Sequence, residues 1–338
     1  MPDSIRLTSP AEFAAAVPSL IGFRPSESVV VVYLEADSSH IVCTLRVDVP
    51  DDIPDLAKQL LDVGLRARSL EALIAVYTAI DATERVLGLV DALDTGGLHV
   101  RDALLVHADR FRSYLCTDDS CCTPEGTPIP ANMSQIEVEH VAHGHRARAP
   151  SRADVTARFA PRPDLAPSAE EYRHAAGLAN HPLRVRCDTA WQALTTLVAA
   201  ARHPPTGAAD VIEAESTVRA GMLVLLCDIQ VRDHLLATVA TQDAAARIEL
   251  ADAMVSLALT APEGVRRHVA ATAAALLAIT GHSPVGAREL VALADRESLA
   301  QLVESSLDLG IHPDDIREVF LEALPEIERR IADSDSAA

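Results

Sequence analysis

The sequence predicts an α+β protein, mixed α/β at its start: an N-terminal mixed sheet with helices, followed by an all-helical C-terminal bundle of helical hairpins. Three observations lead there. Short β-branched runs such as VVVVYL and EALIAVY alternate with amphipathic stretches as far as Pro130, the pattern of helices layered on a sheet. Beyond Pro130 no strand pattern is found, and long alanine- and leucine-rich amphipathic segments take over. Short turns such as TGHSP and LGIHP join them, as between antiparallel helices.

The elements follow in order. Ile5 and Leu7 alternate as in a short strand. Ser9-Pro10-Ala11-Glu12 reads as a capping box with proline at the first helical position. The helix it opens runs to about Leu20 and stops at Gly22, with Pro18 a point of bending or early ending. ESVVVVYL and HIVCTLRVDVP flank a polar turn, Ala36 to Ser39, and form a hairpin. VVVVYL is apolar on both faces and so belongs inside the sheet. DDIPDLAKQLLDVGLRARS reads as a helix and EALIAVYTAI as a buried strand. DATERVLGLVDALDTGG is a second helix, begun by Asp81 and ended at Gly96-Gly97. HVRDALLVHADRFRSYLC is a second hairpin turning near Ala108-Asp109, and a cysteine-bearing loop hangs from the end of its last strand.

The expected organisation is an α/β domain over 1–130, short helices and a linker over 131–168, and a helical domain over 169–332. MSQIEVEHVAHGHRARAPSRADVTARFAP reads as two short helices divided by Gly144 and Pro150, and RPDLAPSAEEY as the linker. Helices are expected near 183–202, 209–239, 243–260 and 263–280, with shorter ones near 284–294, 297–309 and 313–331 and a frayed tail, DSDSAA. Arg232 and Asp233 are read as an anchor for the N-terminal domain on the bundle, and Trp191 as core on an apolar helical stripe.

Formal net charge is −20, from 49 acidic against 29 basic residues. A field of that sign repels phosphate backbones, and aromatic residues at 3% leave few platforms for bases, so no nucleic-acid partner is expected. No apolar run has membrane-spanning length, and the N-terminus lacks the basic and apolar regions of a signal peptide. No membrane partner and a cytoplasmic location are therefore expected. In that compartment the six cysteines are read as buried thiols or metal ligands before disulfides.

The densest chemistry is CTDDSCCTPEG, with Cys116, Cys121 and Cys122 in seven residues. Adjacent cysteines have Cα atoms about 3.8 Å apart, which strains a vicinal disulfide. Zinc takes four ligands, commonly with cysteines two to four residues apart, and C-x4-C-C departs from that spacing. His143, from the trio His140, His143 and His145, or else His99 or His107, would complete a metal site. A thiol-lined structural loop is the preferred reading: no cofactor is expected, and zinc is the alternative. Three further residues are catalytic candidates. Arg46 and Asp48 lie two apart on a strand and share a face, either gripping a substrate carboxylate or pairing with each other. Glu125 is a candidate general acid or base, or an ordinary turn residue. GFRPSES offers Arg24, Ser26 and Ser28 to an anion, or simply carries the chain from helix to strand. No Walker loop, G-x-G-x-x-G, H-E-x-x-H or G-x-S-x-G is present, so none of those chemistries has local support.

SPAEFAAAVPSLIGFRPSESVVVV, then TLRVDVP, SYLCTDDSCCTPEGTP, PSRADVTARFAP, VRD at Val231–Asp233 and LGIHP together resemble an actinobacterial family, domain of unknown function 4192, over nearly the whole chain. Thr123 stands where that resemblance leads us to expect proline. The resemblance implies an architecture and no reaction. The reading of function is a cytoplasmic, non-catalytic binding or adaptor protein that engages a protein or peptide through its helical domain, with homo-oligomerisation open. The alternative is an enzyme, zinc-dependent in one version, with its site at the domain junction near the cysteine loop.

Overall fold

Alternation along one strand sets the layers of the N-terminal unit. Ser28–Leu34 (β1) is buried at all seven positions. Its odd residues Val29, Val31 and Tyr33 join one apolar cluster, and its even residues Val30, Val32 and Leu34 join another. A strand can satisfy both faces only if helices cover both. Pro10–Ile21 (α1) supplies Phe13 and Val17 to the second cluster. Ile53–Arg66 (α2) and Thr83–Thr95 (α3) supply Leu56, Leu60, Val86, Leu89 and Leu93 to the first. The buried Tyr33 hydroxyl donates to the Leu60 carbonyl at 2.9 Å, tying sheet to α2.

The computed structural model describes residues 9–35, 40–49, 53–118, 120–129, 148–201 and 216–336. The chain divides into two units, Met1–Val155 and Thr156–Ala338. The sheet of the first adds Ile41–Asp48 (β2), Glu71–Tyr77 (β3), His99–His107 (β4), Arg110–Ser113 (β5) and Thr127–Pro128 (β6), in the order β2-β1-β3-β4-β5-β6. Only β3 and β4 run parallel, joined through α3; the other neighbours are antiparallel. The mixed sheet followed by a helical region agrees with the expected α+β class. Ser9 accepts from the Glu12 N–H at 3.2 Å, α1 continues through Pro18, and Gly22 ends it at φ 82°. The strand at Ile5–Leu7 and the turn Ala36–Ser39 lie outside the described residues.

A short helix, Arg152–Ala157 (α4), spans the division. The second unit is then helical: Ala169–Ala175 (α5), Leu183–Ala201 (α6), Ser216–Leu225 (α7), Ile229–Ala240 (α8), Ala244–Thr260 (α9), Glu263–Thr280 (α10), Pro284–Leu293 (α11), Ser298–Asp308 (α12) and Pro313–Ser336 (α13). Its centre is α10, buried at every position from Val269 to Ile279, because VAATAAALLAI is apolar all round. Asp243 and Ser283 cap α9 and α11, and Gly281, at φ 64°, ends α10.

Three sequence expectations change. The helix read over 209–239 lies outside the described residues as far as 215, and from Ser216 it is two helices, because Asp228 leaves helical geometry and caps α8 through the Gln230 N–H at 2.8 Å. RPDLAPSAEEY is built into the helical unit: the Arg162 N–H donates to the Leu259 carbonyl at 2.7 Å, and Ser168 with Glu171 forms a capping box on α5. The tail stays helical through Ser336. Among the described residues no helix is long and apolar enough to cross a membrane.

Phe159 is buried against Gly286 of α11, where a Cβ would lie 2.1 Å from its ring carbon Cζ. Alanine favours helix over glycine by about 1 kcal/mol, but overpacking costs ~1–3 kcal/mol. Gly286→Ala is therefore expected to lower the midpoint of denaturant unfolding, and Phe159→Leu to recover part of the loss in that background. A raised midpoint for Gly286→Ala alone would contradict the seat described here.

Candidate functional site

Candidate chemistry in the N-terminal unit begins with a tight turn. Ala108 and Asp109 have φ of 49° and 56°, the left-handed pair that a two-residue hairpin loop requires. That turn sets the register His107↔Arg110, Val106↔Phe111, Leu105↔Arg112 and Leu104↔Ser113. The pairing of β3 with β4 slips by one residue, Ala72 facing Val100 and Leu73 facing Asp102. This bulge puts Val100 and Ala103 on one face and re-aims Asp102. The Ser113 hydroxyl donates to Asp102 Oδ1 at 2.6 Å and accepts the N–H groups of Leu115 and Cys116 at 3.0 and 3.1 Å. One serine thus fixes the start of the cysteine loop.

Asp118 shapes the middle. Its Oδ1 accepts the Ser120 N–H and hydroxyl at 2.8 and 2.6 Å. Its carbonyl accepts the N–H groups of Cys121 and Cys122 at 3.0 and 2.8 Å. The Ser120 hydroxyl and N–H hold the Asp118 carboxyl below its ordinary range. The turn brings Cys116, Cys121 and Cys122 together as thiols, their Sγ atoms all within 4.8 Å of one another. Zn–S bonds of about 2.3 Å in a tetrahedron imply sulfurs about 3.8 Å apart, so a small inward movement would let the trio hold a metal ion. Hydrogen bonding to Cys116 and then its charge, followed by Cys122, push the Cys121 thiol above its ordinary range. Metal uptake must therefore displace protons.

Arg110 closes the far end. Its guanidinium donates to the carbonyls of Glu125, at 2.7 Å, and Gly126, at 2.6 and 3.1 Å. The turn Thr123–Gly126 is closed by the Gly126 N–H on the Thr123 carbonyl at 2.8 Å, with Pro124 at its first corner. Gly126 has φ 72°, and a Cβ there would meet the Phe111 carbonyl oxygen at 2.9 Å, so glycine is required. The loop therefore does not hang from a last strand: it connects β5 to β6, a two-residue strand too short to carry a sequence signal.

The other expected residues are placed as follows. Arg46 pairs with Asp48 at 2.6 Å and also donates to Ser28 Oγ at 2.9 and 2.7 Å. Ser28 is buried and donates to the Ser26 carbonyl at 2.6 Å. The arginine is mostly covered, at 16% exposure, while Asp48 is 77% exposed. Arg24 reaches Asp109 at 3.7 Å. Glu125 contributes its carbonyl to the loop, and the residue is exposed. His143, with His140 and His145, lies outside the described residues. The described partners of Arg232 are Asp233 and Glu297 of the helical unit, Glu297 at 2.6 Å.

Two features escaped the sequence reading. Glu27, at φ 42°, accepts from the Thr78 hydroxyl and the Ala79 N–H at 2.7 and 3.2 Å and so locks the entry to β1. Trp191 is half-buried and lines a cavity with His234 and Glu328, so it is not a plain core residue. The spacings Arg184, Asp188, Trp191 and His234, Thr238, Thr241, four then three residues apart on separate helices, are the signal that could have found this cavity.

A family model for a domain of unknown function (DUF4192) matches residues 10–314. No curated protein and no solved structure matches the chain.

Ser113→Ala removes three hydrogen bonds and leaves the Asp102 carboxylate with the Ala103 N–H, at 2.8 Å, as its described partner. A loss of about 1–3 kcal/mol is expected locally, read as faster amide exchange at Leu115 and Cys116 with β1 and β3 unchanged. Unchanged protection at those two amides would contradict the anchor.

Proposed function

The chain belongs to the domain of unknown function 4192 family, and from that premise we propose that it is a cytoplasmic, non-catalytic binding protein whose helical unit engages a basic protein or peptide segment. One observation carries this reading. Leu302, on α12, and Val319, on α13, are 66% and 63% exposed, and Leu309, the residue that ends α12, is exposed as well. The same stretch carries Glu304, Asp308, Asp314, Asp315, Glu318 and Glu322. Apolar side chains set among carboxylates suit a basic amphipathic helix, which would bury its apolar face and place its cations at the rim. The acidic balance of the whole chain speeds encounter with such a partner. The engagement of Arg46 by Ser28 and Asp48 supports a structural task for that pair.

A second reading is favoured by the thiol trio: zinc held by Cys116, Cys121 and Cys122. Three thiolates leave one coordination position, open to a fourth protein ligand in a structural site or to water in a catalytic one. Because Ser113 and Arg110 already tie the loop at both ends, a bracing zinc suits it better than a catalytic one. In the enzyme alternative Glu125 would be the base.

In a binding screen against basic amphipathic peptides, Leu302→Lys with Val319→Lys is expected to weaken retention about tenfold or more, while the unfolding midpoint stays that of the parent. Cys121→Ser is expected to bind as the parent does. Equal binding by the double variant, or loss of binding in a folded Cys121→Ser chain, would contradict the proposal.

A further inference from the structure

The helical unit contains an open cleft of about 340 Å³ lined from α6, α8 and α13. We propose that it binds an organic cation, a guanidinium or alkylammonium group. The inference does not rest on the partner surface around Leu302 and Val319, because it concerns a different set of side chains and a free cation suffices to test it.

Charge supports the assignment. Arg184 is committed to Glu328, and its backbone N–H faces the Asp335 carboxylate at 3.3 and 3.4 Å. The other oxygen of Glu328 faces His234 Nε2 at 3.1 Å. Asp188 lies one helical turn from Arg184, lines the cavity and is exposed, with no hydrogen-bond donor on it among the described residues. Among the residues that line the cavity, one guanidinium is thus set against two carboxylates, Asp188 and Glu328. Arg184, then its hydrogen-bonded neighbour His234, holds the Glu328 carboxyl below its ordinary range, so that carboxylate keeps its charge.

Hydrogen-bonding capacity points the same way. The Thr238 hydroxyl spends its proton on the His234 carbonyl at 2.8 Å, and Thr241 spends its own on the Thr238 carbonyl at 2.7 Å. Thr238 therefore offers oxygen lone pairs to the cavity it lines, while Thr241 Oγ1 already accepts the Gln242 amide at 2.9 Å. His234 has only 8% of its side chain exposed, and its Nδ1 has no partner among the described residues. Its Nε2 faces Glu328, and the residue lines the cavity. Ammonium and guanidinium groups are rich in donors and carry no acceptor. The Trp191 ring completes the set, since cations are attracted to an indole face.

Trp191 is the only tryptophan, so its emission reads this cavity alone. The probes are ethylguanidinium, butylammonium and a capped tripeptide with a central arginine, with butanol as the neutral control and calorimetry as a second readout. Saturable binding of a free cation at millimolar concentrations is expected, weakened about tenfold in Asp188→Asn. Because Asp188 is exposed, that variant should fold, as circular dichroism will verify. A tripeptide that binds tighter than ethylguanidinium assigns the cation to a peptide side chain; one that binds no tighter assigns it to a small molecule. Flat emission without heat for all three probes, an equal response to butanol, or unchanged affinity in Asp188→Asn overturns the proposal.

Discussion

The geometry of the N-terminal unit's reactive loop depends on one backbone constraint, the left-handed pair at Ala108 and Asp109. With that turn made, Ser113 sits opposite Leu104 and Arg110 opposite His107. Ser113 then anchors the first cysteine, and Arg110 holds the carbonyls at the loop's far end. Both clamps come from the same four-residue strand. A slip of one residue would turn each side chain to the opposite face, and neither clamp could form. Aspartate tolerates this conformation, whereas an alanine in it costs about 1–2 kcal/mol. The register thus costs backbone strain, and the hydrogen bonds it enables offset it.

The helical unit is organised by a different constraint, the buried pair of Arg232 and Glu297. Their side chains are only 11% and 10% exposed, so removing either would strand a buried charge. Glu297 also accepts the N–H groups of Leu299 and Ala300 at 2.7 and 3.3 Å, capping α12. One carboxylate therefore sets where α12 starts and ties it to α8. The surface proposed to meet a partner and the cleft proposed to hold a cation both lie in the unit organised by this pair and by the buried stretch Val269–Ile279 of α10.

Much of this was legible in the chain. VVVVYL predicted a central strand because a run apolar on both faces must be covered on both, and Ser9-Pro10 predicted the start of α1 because local capping needs no tertiary partner. The turn at Ala108-Asp109 was readable because two strand patterns flank it. What stayed hidden is long-range or too short to be periodic. The bulge that re-aims Asp102 depends on pairing with β3, and β6 is two residues long. The break at Asp228 was masked by helix-forming residues on either side. Trp191 read as core because an amphipathic stripe does not reveal that α8 and α13 stand off from it and leave a cavity. The Cys116, Cys121 and Cys122 cluster was visible as a spacing, but its convergence needed Ser113 and Asp118, which no motif announces.

The claim that the turn-set loop assembles one donor set from three thiols is tested most directly by native mass. Protein purified reduced, without chelator and with zinc supplied, should carry one ion on the full chain and lose it in Cys121→Ser. A mass matching the bare, reduced chain would contradict the account and leave the loop as scaffold alone.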